Sequence, residues 1–322
     1  MRIVFMIALM AVVFPAALQA KTVYKFIPAQ SQLVVQVNLD NSDGFEAIRK
    51  DLIVSMNRQA GLNQDNGPFS DLDDLISKII IVTPVLTVDE TFIFLELKKN
   101  ASEFCRKLEE KTGLKLVSVK GSGTGFPEKR FTVDEKTAFS ITGLASPKRT
   151  FALGFLSEKA VVLAKDNLSG YRKFSSVGLS EQDRKKLKQP KALAAGYIEM
   201  TAAFLEDYPY LPPIRRGVFS LTVFKNGSLL IRADAVCADE KTAGQTLMQV
   251  QQYIMVGGIV LNQLDPELMQ DWMASVRAGQ SEKTVTVNGN FTKNFISRLA
   301  ASSEKLAGTL NQPEASGKGK TR

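Results

Sequence analysis

Histidine is absent from the 322 residues, cysteine occurs twice and tryptophan once. Without histidine, neither a Ser-His-Asp nor a Cys-His arrangement can be assembled, and a catalytic zinc site loses its commonest ligand. The two cysteines, Cys105 and Cys237, stand far apart with no CxxC spacing, which removes the usual thiol-redox and zinc-ribbon motifs as well. A phosphate loop is also missing. The stretch KGSGTGF at 120–126 has the glycines, but it leads into the strand-like FPEKRFTV and lacks a following Gly-Lys-Ser/Thr element, so it reads as a flexible hairpin loop. No cofactor motif and no metal-ligand spacing is present elsewhere.

Long uninterrupted apolar runs are lacking too. The best stretch, LMQVQQYIMVGGIVLNQL at 247–264, is broken by Gln249, Gln251, Gln252, Asn262 and Gln263, amides that a lipid-facing helix carries at considerable cost. It reads as a buried helix of a soluble protein. At the N-terminus, MRIVFMIALMAVVFPAALQA has a basic start at Arg2, a short apolar run and a small-residue exit at Ala20, the layout of a signal peptide cleaved before Lys21. The run falls short of the roughly 20 residues a spanning helix needs. The expected mature chain is therefore periplasmic or secreted, and not an integral membrane protein.

What is present is the composition of a globular protein, 44% hydrophobic and 23% charged, with a formal net charge of +8. Part of the basic excess sits in DRKKLKQPK at 183–191 and in the tail GKGKTR, which read as a solvated helix face and a frayed end. Export makes nucleic acid an unsuitable partner.

Two stretches share one layout of strand, polar cap and amphipathic helix: 91–112, TFIFLELKKNASEFCRKLEEKT, and 229–250, LLIRADAVCADEKTAGQTLMQV. Each is preceded by another apolar strand. The pattern predicts an α+β chain of two similar ferredoxin-like, split β-α-β units with mainly antiparallel sheets, the first extended by a β-meander over 129–165. The expected boundaries are a signal peptide at 1–20, a first unit with meander and charged connector at 21–190, a second unit at 191–310, and a disordered tail at 311–322. Whether the units share a sheet is left open by the pattern.

Local signals are sharper. Alternation puts Leu221 and Val223 on one face and Leu229 and Ile231 on one face; only a three-residue loop, Lys225 to Gly227 with Gly227 left-handed, brings the two sets to the same side. Asn100 and Asp239 are placed to cap helices, Ser180 to cap the charged segment, Gly113 to stop the first helix and Pro266 to break the second. In that second helix Ala243, Leu247, Val250, Ile254 and Leu261 form the apolar stripe.

The exported start, the α+β repeats, the FLSEKAVVLA hairpin and the strand-then-helix A-x-x-L segment together resemble uncharacterised exported bacterial proteins with two repeated α+β units. The resemblance spans residues 25–305 in layout and implies no catalytic residues.

Three functional expectations follow. The leading one is an exported, non-catalytic protein acting through contacts with an envelope protein or ligand. Its candidate contact loop lies in EDYPYLPPIRRG at 206–217, where Tyr208, Tyr210, Arg215 and Arg216 are the residue types enriched at binding hot spots and proline stiffens their presentation; the bland reading, which proline-containing connectors favour, is a structural crossover whose tyrosines cover the sheet edge. The alternatives are an envelope hydrolase with a Ser-Lys or paired-carboxylate site, drawn from SEKA at 157–160, SSEK at 302–305 or acids such as Glu90, Asp134 and Asp234, and a structural component of an envelope assembly. Cys105 and Cys237 allow either one disulfide or two inert core thiols.

Overall fold

Every named strand joins one sheet. The computed structural model describes residues 23–39, 75–86, 90–119, 125–133, 149–174, 177–189, 191–208 and 211–310, so the expected signal peptide at 1–20, the AFSITGL segment of the expected meander and the expected tail at 311–322 lie outside the described residues. The sheet has twelve strands in the order β11-β12-β10-β9-β8-β1-β2-β3-β7-β6-β5-β4, and all neighbours are antiparallel. In chain order the strands are β1 (Leu33–Asn38), β2 (Ile76–Thr83), β3 (Phe92–Leu97), β4 (Val117–Ser118), β5 (Glu128–Val133), β6 (Arg149–Ser157), β7 (Ala160–Lys165), β8 (Ala192–Glu199), β9 (Ile214–Val223), β10 (Leu229–Cys237), β11 (Val276–Ser281) and β12 (Thr284–Phe291). The helices are α1 (Ala101–Thr112), α2 (Glu181–Leu187), α3 (Ala202–Asp207), α4 (Glu240–Leu264), α5 (Pro266–Ser275) and α6 (Lys293–Leu310).

The expected pair of separate ferredoxin-like units is not what forms, because all twelve strands share one antiparallel sheet. A ferredoxin-like unit closes its own small sheet, in which the strand after the crossover helix lies parallel to the strand before it with one antiparallel strand between them. Here β4, which follows α1, lies at one outer edge of the sheet, and the last strand of the meander, β7, runs antiparallel beside β3 with Phe92 opposite Ala164. On the other side β11 follows α5 to the opposite edge and β12 takes the inner place beside β10, a split β-α-β step built into the shared sheet and not into a unit of its own. The physical reason is burial. β4 is only two residues long and exposed, and β11 (VRAGQS) is poor in large apolar groups, whereas β7 (AVVLAK) and β12 (TVTVNGNF) can fill an inner position. The sheet is continuous across residue 190, because β1 pairs with β8, Val35 opposite Gly196.

The local signals are realised as read. Val223 pairs with Leu229 and Leu221 with Ile231 around a loop in which Gly227 has φ 79°. Asn100 accepts from the Glu103 N–H at 2.8 Å, Asp239 from that of Thr242 at 2.7 Å, and Ser180 from that of Asp183 at 3.1 Å. Gly113 is left-handed. Most of the glycine-rich 120–126 stretch, residues 120–124, lies outside the described residues; the strands that flank it, β4 and β5, pair antiparallel with Val117 opposite Arg130.

One face of the sheet carries a core that runs from β5 to β10 and includes Val37, Leu95, Phe104, Cys105, Leu153, Leu221 and Val223, with α1 over it. On the other face a second core, including Val34, Ile80, Phe94, Tyr171, Leu187 and Tyr197, is covered by the N-terminal 3-10 turn Val23–Phe26 and by α2. This second face is open over β10 and β12, where Leu230, Arg232, Asp234, Asn288 and Asn290 are partly or fully exposed. The helices of the second half, α4, α5 and α6, therefore lie on one side only.

Candidate functional site

The unusual element is α4. It starts at a well-made cap: the N–H and hydroxyl of Thr242, with Lys241 and Arg215 nearby, hold the Asp239 carboxyl below the usual carboxylate range. From Thr242 to Leu264 it then carries no charged residue. One side is buried as the stripe predicts. Ala243 and Leu247 pack with Cys237, Ala235 and Val285, while Ile254, Leu261 and Leu264 pack with Leu268, Trp272, Val276, Phe291 and Phe295.

The opposite side is not covered. Met248 is 64% exposed, Met255 58%, Val256 55%, Ile259 54%, Val260 51% and Tyr253 50%. At 100° per residue, Met248, Gln252, Met255, Val256, Ile259 and Gln263 fall within one stripe, flanked by Tyr253 and Val260. The expectation of a wholly buried helix is thus half wrong. The sequence carried the signal: these apolar positions lie off the Ala243–Leu261 stripe, so one neighbour could not have buried them all.

α5 props this helix up. Trp272 lies against Gly257, where a Cβ would come within 3.2 Å of its ring, and Met273 lies as close to Gly258. The Trp272 Nε1–H donates to the Ile254 carbonyl at 2.8 Å, and the ring stacks on Phe291.

Beside the N-terminal half of the exposed face lies a groove of about 620 Å³, lined by Leu205, Leu211, Pro213, Gln245, Met248, Gln249 and Gln252. Among the described residues, no charged side chain lines it. The Oε1 of Gln249 is buried there without a hydrogen-bond partner among the described residues.

The predicted contact loop forms the far wall of this groove, but its four residues do not act together. Tyr208 is exposed and tilts onto Phe204, their ring centres 4.8 Å apart. Tyr210 lies outside the described residues. Arg215 is exposed near the Asp239 cap. Arg216 leaves for the other face of the sheet, where it pairs with Glu199 at 2.8 Å alongside Lys186. Successive residues of a strand point to opposite faces, so a loop feeding β9 could not present both arginines on one side.

The groups considered for chemistry are dispersed. Ser157 accepts from the backbone N–H of Lys159 in the β6–β7 turn, Ser302 is buried, Glu90 pairs with Lys173 and Asp234 with Arg232; Asp134 lies outside the described residues. No group of three or more potential metal ligands occurs among the described residues. Cys105 and Cys237 are free thiols, buried in separate cores, so the disulfide option is not taken. Cys237 donates to Thr246 Oγ1 at 3.4 Å, and burial pushes the Cys105 thiol up.

One buried polar network was not foreseen. On the face away from α4, Lys78 and Glu96 pair across β2 and β3 at 3.7 Å, Lys78 Nζ donates to the Tyr24 hydroxyl at 3.2 Å, Tyr24 donates to Gln36, and Gln36 donates to Asn38 at 2.6 Å. Burial first, then the Glu96 charge, pushes the Tyr24 hydroxyl well up. These groups are engaged with one another, and the network joins β1, β2 and β3 to the 3-10 turn above them.

No family model matches this chain, and no curated protein sequence matches it either. It is similar to one solved structure, described as "Structure of crystal form I of TP0453", at 9% identity over 89% of this chain and 99% of that one, with a TM-score of 0.45.

Proposed function

We propose that this protein acts outside the cytoplasm as a non-catalytic interaction protein, and that its contact surface is the exposed face of α4 with the adjoining Leu205–Leu211–Pro213 groove. The observation that carries this reading is the half-exposed row from Met248 to Val260 on a helix with no internal charge. A helix apolar on all sides is stable where all sides are covered, and an apolar patch of this kind on one element marks a contact site. Methionine, at Met248, Met255 and Met273, supplies adaptable packing.

The test is crosslinked capture with residues 21–322, run in parallel for the wild type and the double variant Val256→Glu, Ile259→Glu. Crosslinks that map to α4 and vanish in a variant with unchanged thermal unfolding support the reading. The same crosslinks in both proteins, mapping elsewhere, refute it.

A further inference from the structure

Resting on that contact reading, we propose that the partner of α4 is a second copy of this chain, the two α4 helices packing antiparallel across a two-fold axis near Val256. The first argument is charge. With a net charge of +8, two copies repel over much of their surface, and the stretch Thr242–Leu264 is where they can meet without setting like charges together.

The second argument is self-complementarity. A two-fold contact places the same patch against itself, so it favours groups that match their own kind. Apolar Met248, Met255, Val256 and Ile259 do so. Gln252 and Gln263 do so as well, because an amide both donates and accepts. A stripe of one charge could not.

The third is size. The part of α4 that two antiparallel copies share around Val256, residues 248–264, is about 25 Å long and 10–12 Å across, so half its circumference offers on the order of 400 Å². Met273 and the Leu205–Leu211–Pro213 wall bring this toward the roughly 600 Å² per partner at the small end of stable interfaces. Permanent homodimer interfaces are also the apolar ones, resembling a core cut in half.

The experiment is sedimentation velocity of residues 21–322 across a wide concentration range, joined to oxidative crosslinking of Val256→Cys. The native thiols Cys105 and Cys237 are buried and give no background. A dimer mass, a disulfide-linked Val256→Cys dimer, and a dissociation constant raised roughly a hundredfold or more by Val256→Glu, Ile259→Glu are expected. A monomer at every concentration overturns the second-copy proposal, as does a dimer that survives the glutamates. If that monomer loses a different protein on introduction of the glutamates, the contact reading stands while the self-pairing falls. If it instead binds vesicles of neutral lipid through α4, a membrane surface is the occupant and the proposal falls too.

Discussion

Arg298 on α6 grips both carboxylate oxygens of Asp265, the residue between α4 and α5, with Nη2 2.8 Å from Oδ1 and 2.7 Å from Oδ2. The same carboxylate accepts from the Glu267 N–H at 3.0 Å, so one side chain caps α5 and ties the α4–α5 corner to the last helix. The exposed face of α4 therefore rests on an anchored corner.

That anchor is pH-dependent. Burial alone would raise the Asp265 carboxyl, but the Arg298 hydrogen bonds and the α5 cap outweigh it and hold the group below its ordinary range. The folded state thus takes up this proton less readily than the unfolded chain. Its contribution is complete above the unfolded value of about 4 and is lost as pH falls through the lower folded value. Asp265→Asn is expected to lower the melting temperature at neutral pH and to flatten the decline in stability below about pH 4. Parallel melts of wild type and variant across the acid range check this; identical acid limbs would disprove it.

Breaking the buried pair is expected to cost more than removing it. Lys78→Met leaves Glu96, whose side chain is 5% exposed, without its cation and should destabilise by about 3–5 kcal/mol. Adding Glu96→Leu should recover much of that loss. Urea unfolding of both single variants and the double variant measures the coupling.

Gly196 in β8 has the Phe219 ring above it: a Cβ there would lie 2.5 Å from the ring and 2.7 Å from the Val34 carbonyl. Backbone cannot yield as a side chain can, so Gly196→Ala should cost about 1–3 kcal/mol. A shifted urea midpoint with an unchanged slope is the expected signature.

Both thiols should be silent in the native protein. Thiol titration is expected to label neither Cys105 nor Cys237 until denaturant is added, and then both, with no effect of a reductant on the count. Two thiols appearing only after reduction would show a bridge.

The sequence by itself determined whatever is settled within a few residues of chain. The caps at Asn100, Ser180 and Asp239, the stop at Gly113 and the Val223–Leu229 register follow from hydrogen-bond geometry and strand parity that short stretches already contain. The missing histidine likewise bounded the chemistry before any fold was known. Tertiary structure alone decided which strands became neighbours. Antiparallel pairing of β1 with β8 and insertion of β7 and β12 beside β3 and β10 depend on which long-range contacts bury the most apolar surface, and strand periodicity does not encode them. It also decided the fate of α4. Spacing showed that one side of this helix would be buried, but whether another element would reach Met248, Met255 and Ile259 depended on where α3, α5 and α6 came to rest. None covers them: α4 rests directly on β10, β11 and β12, α5 packs beside it on β12, and α6 is held at the Asp265 corner.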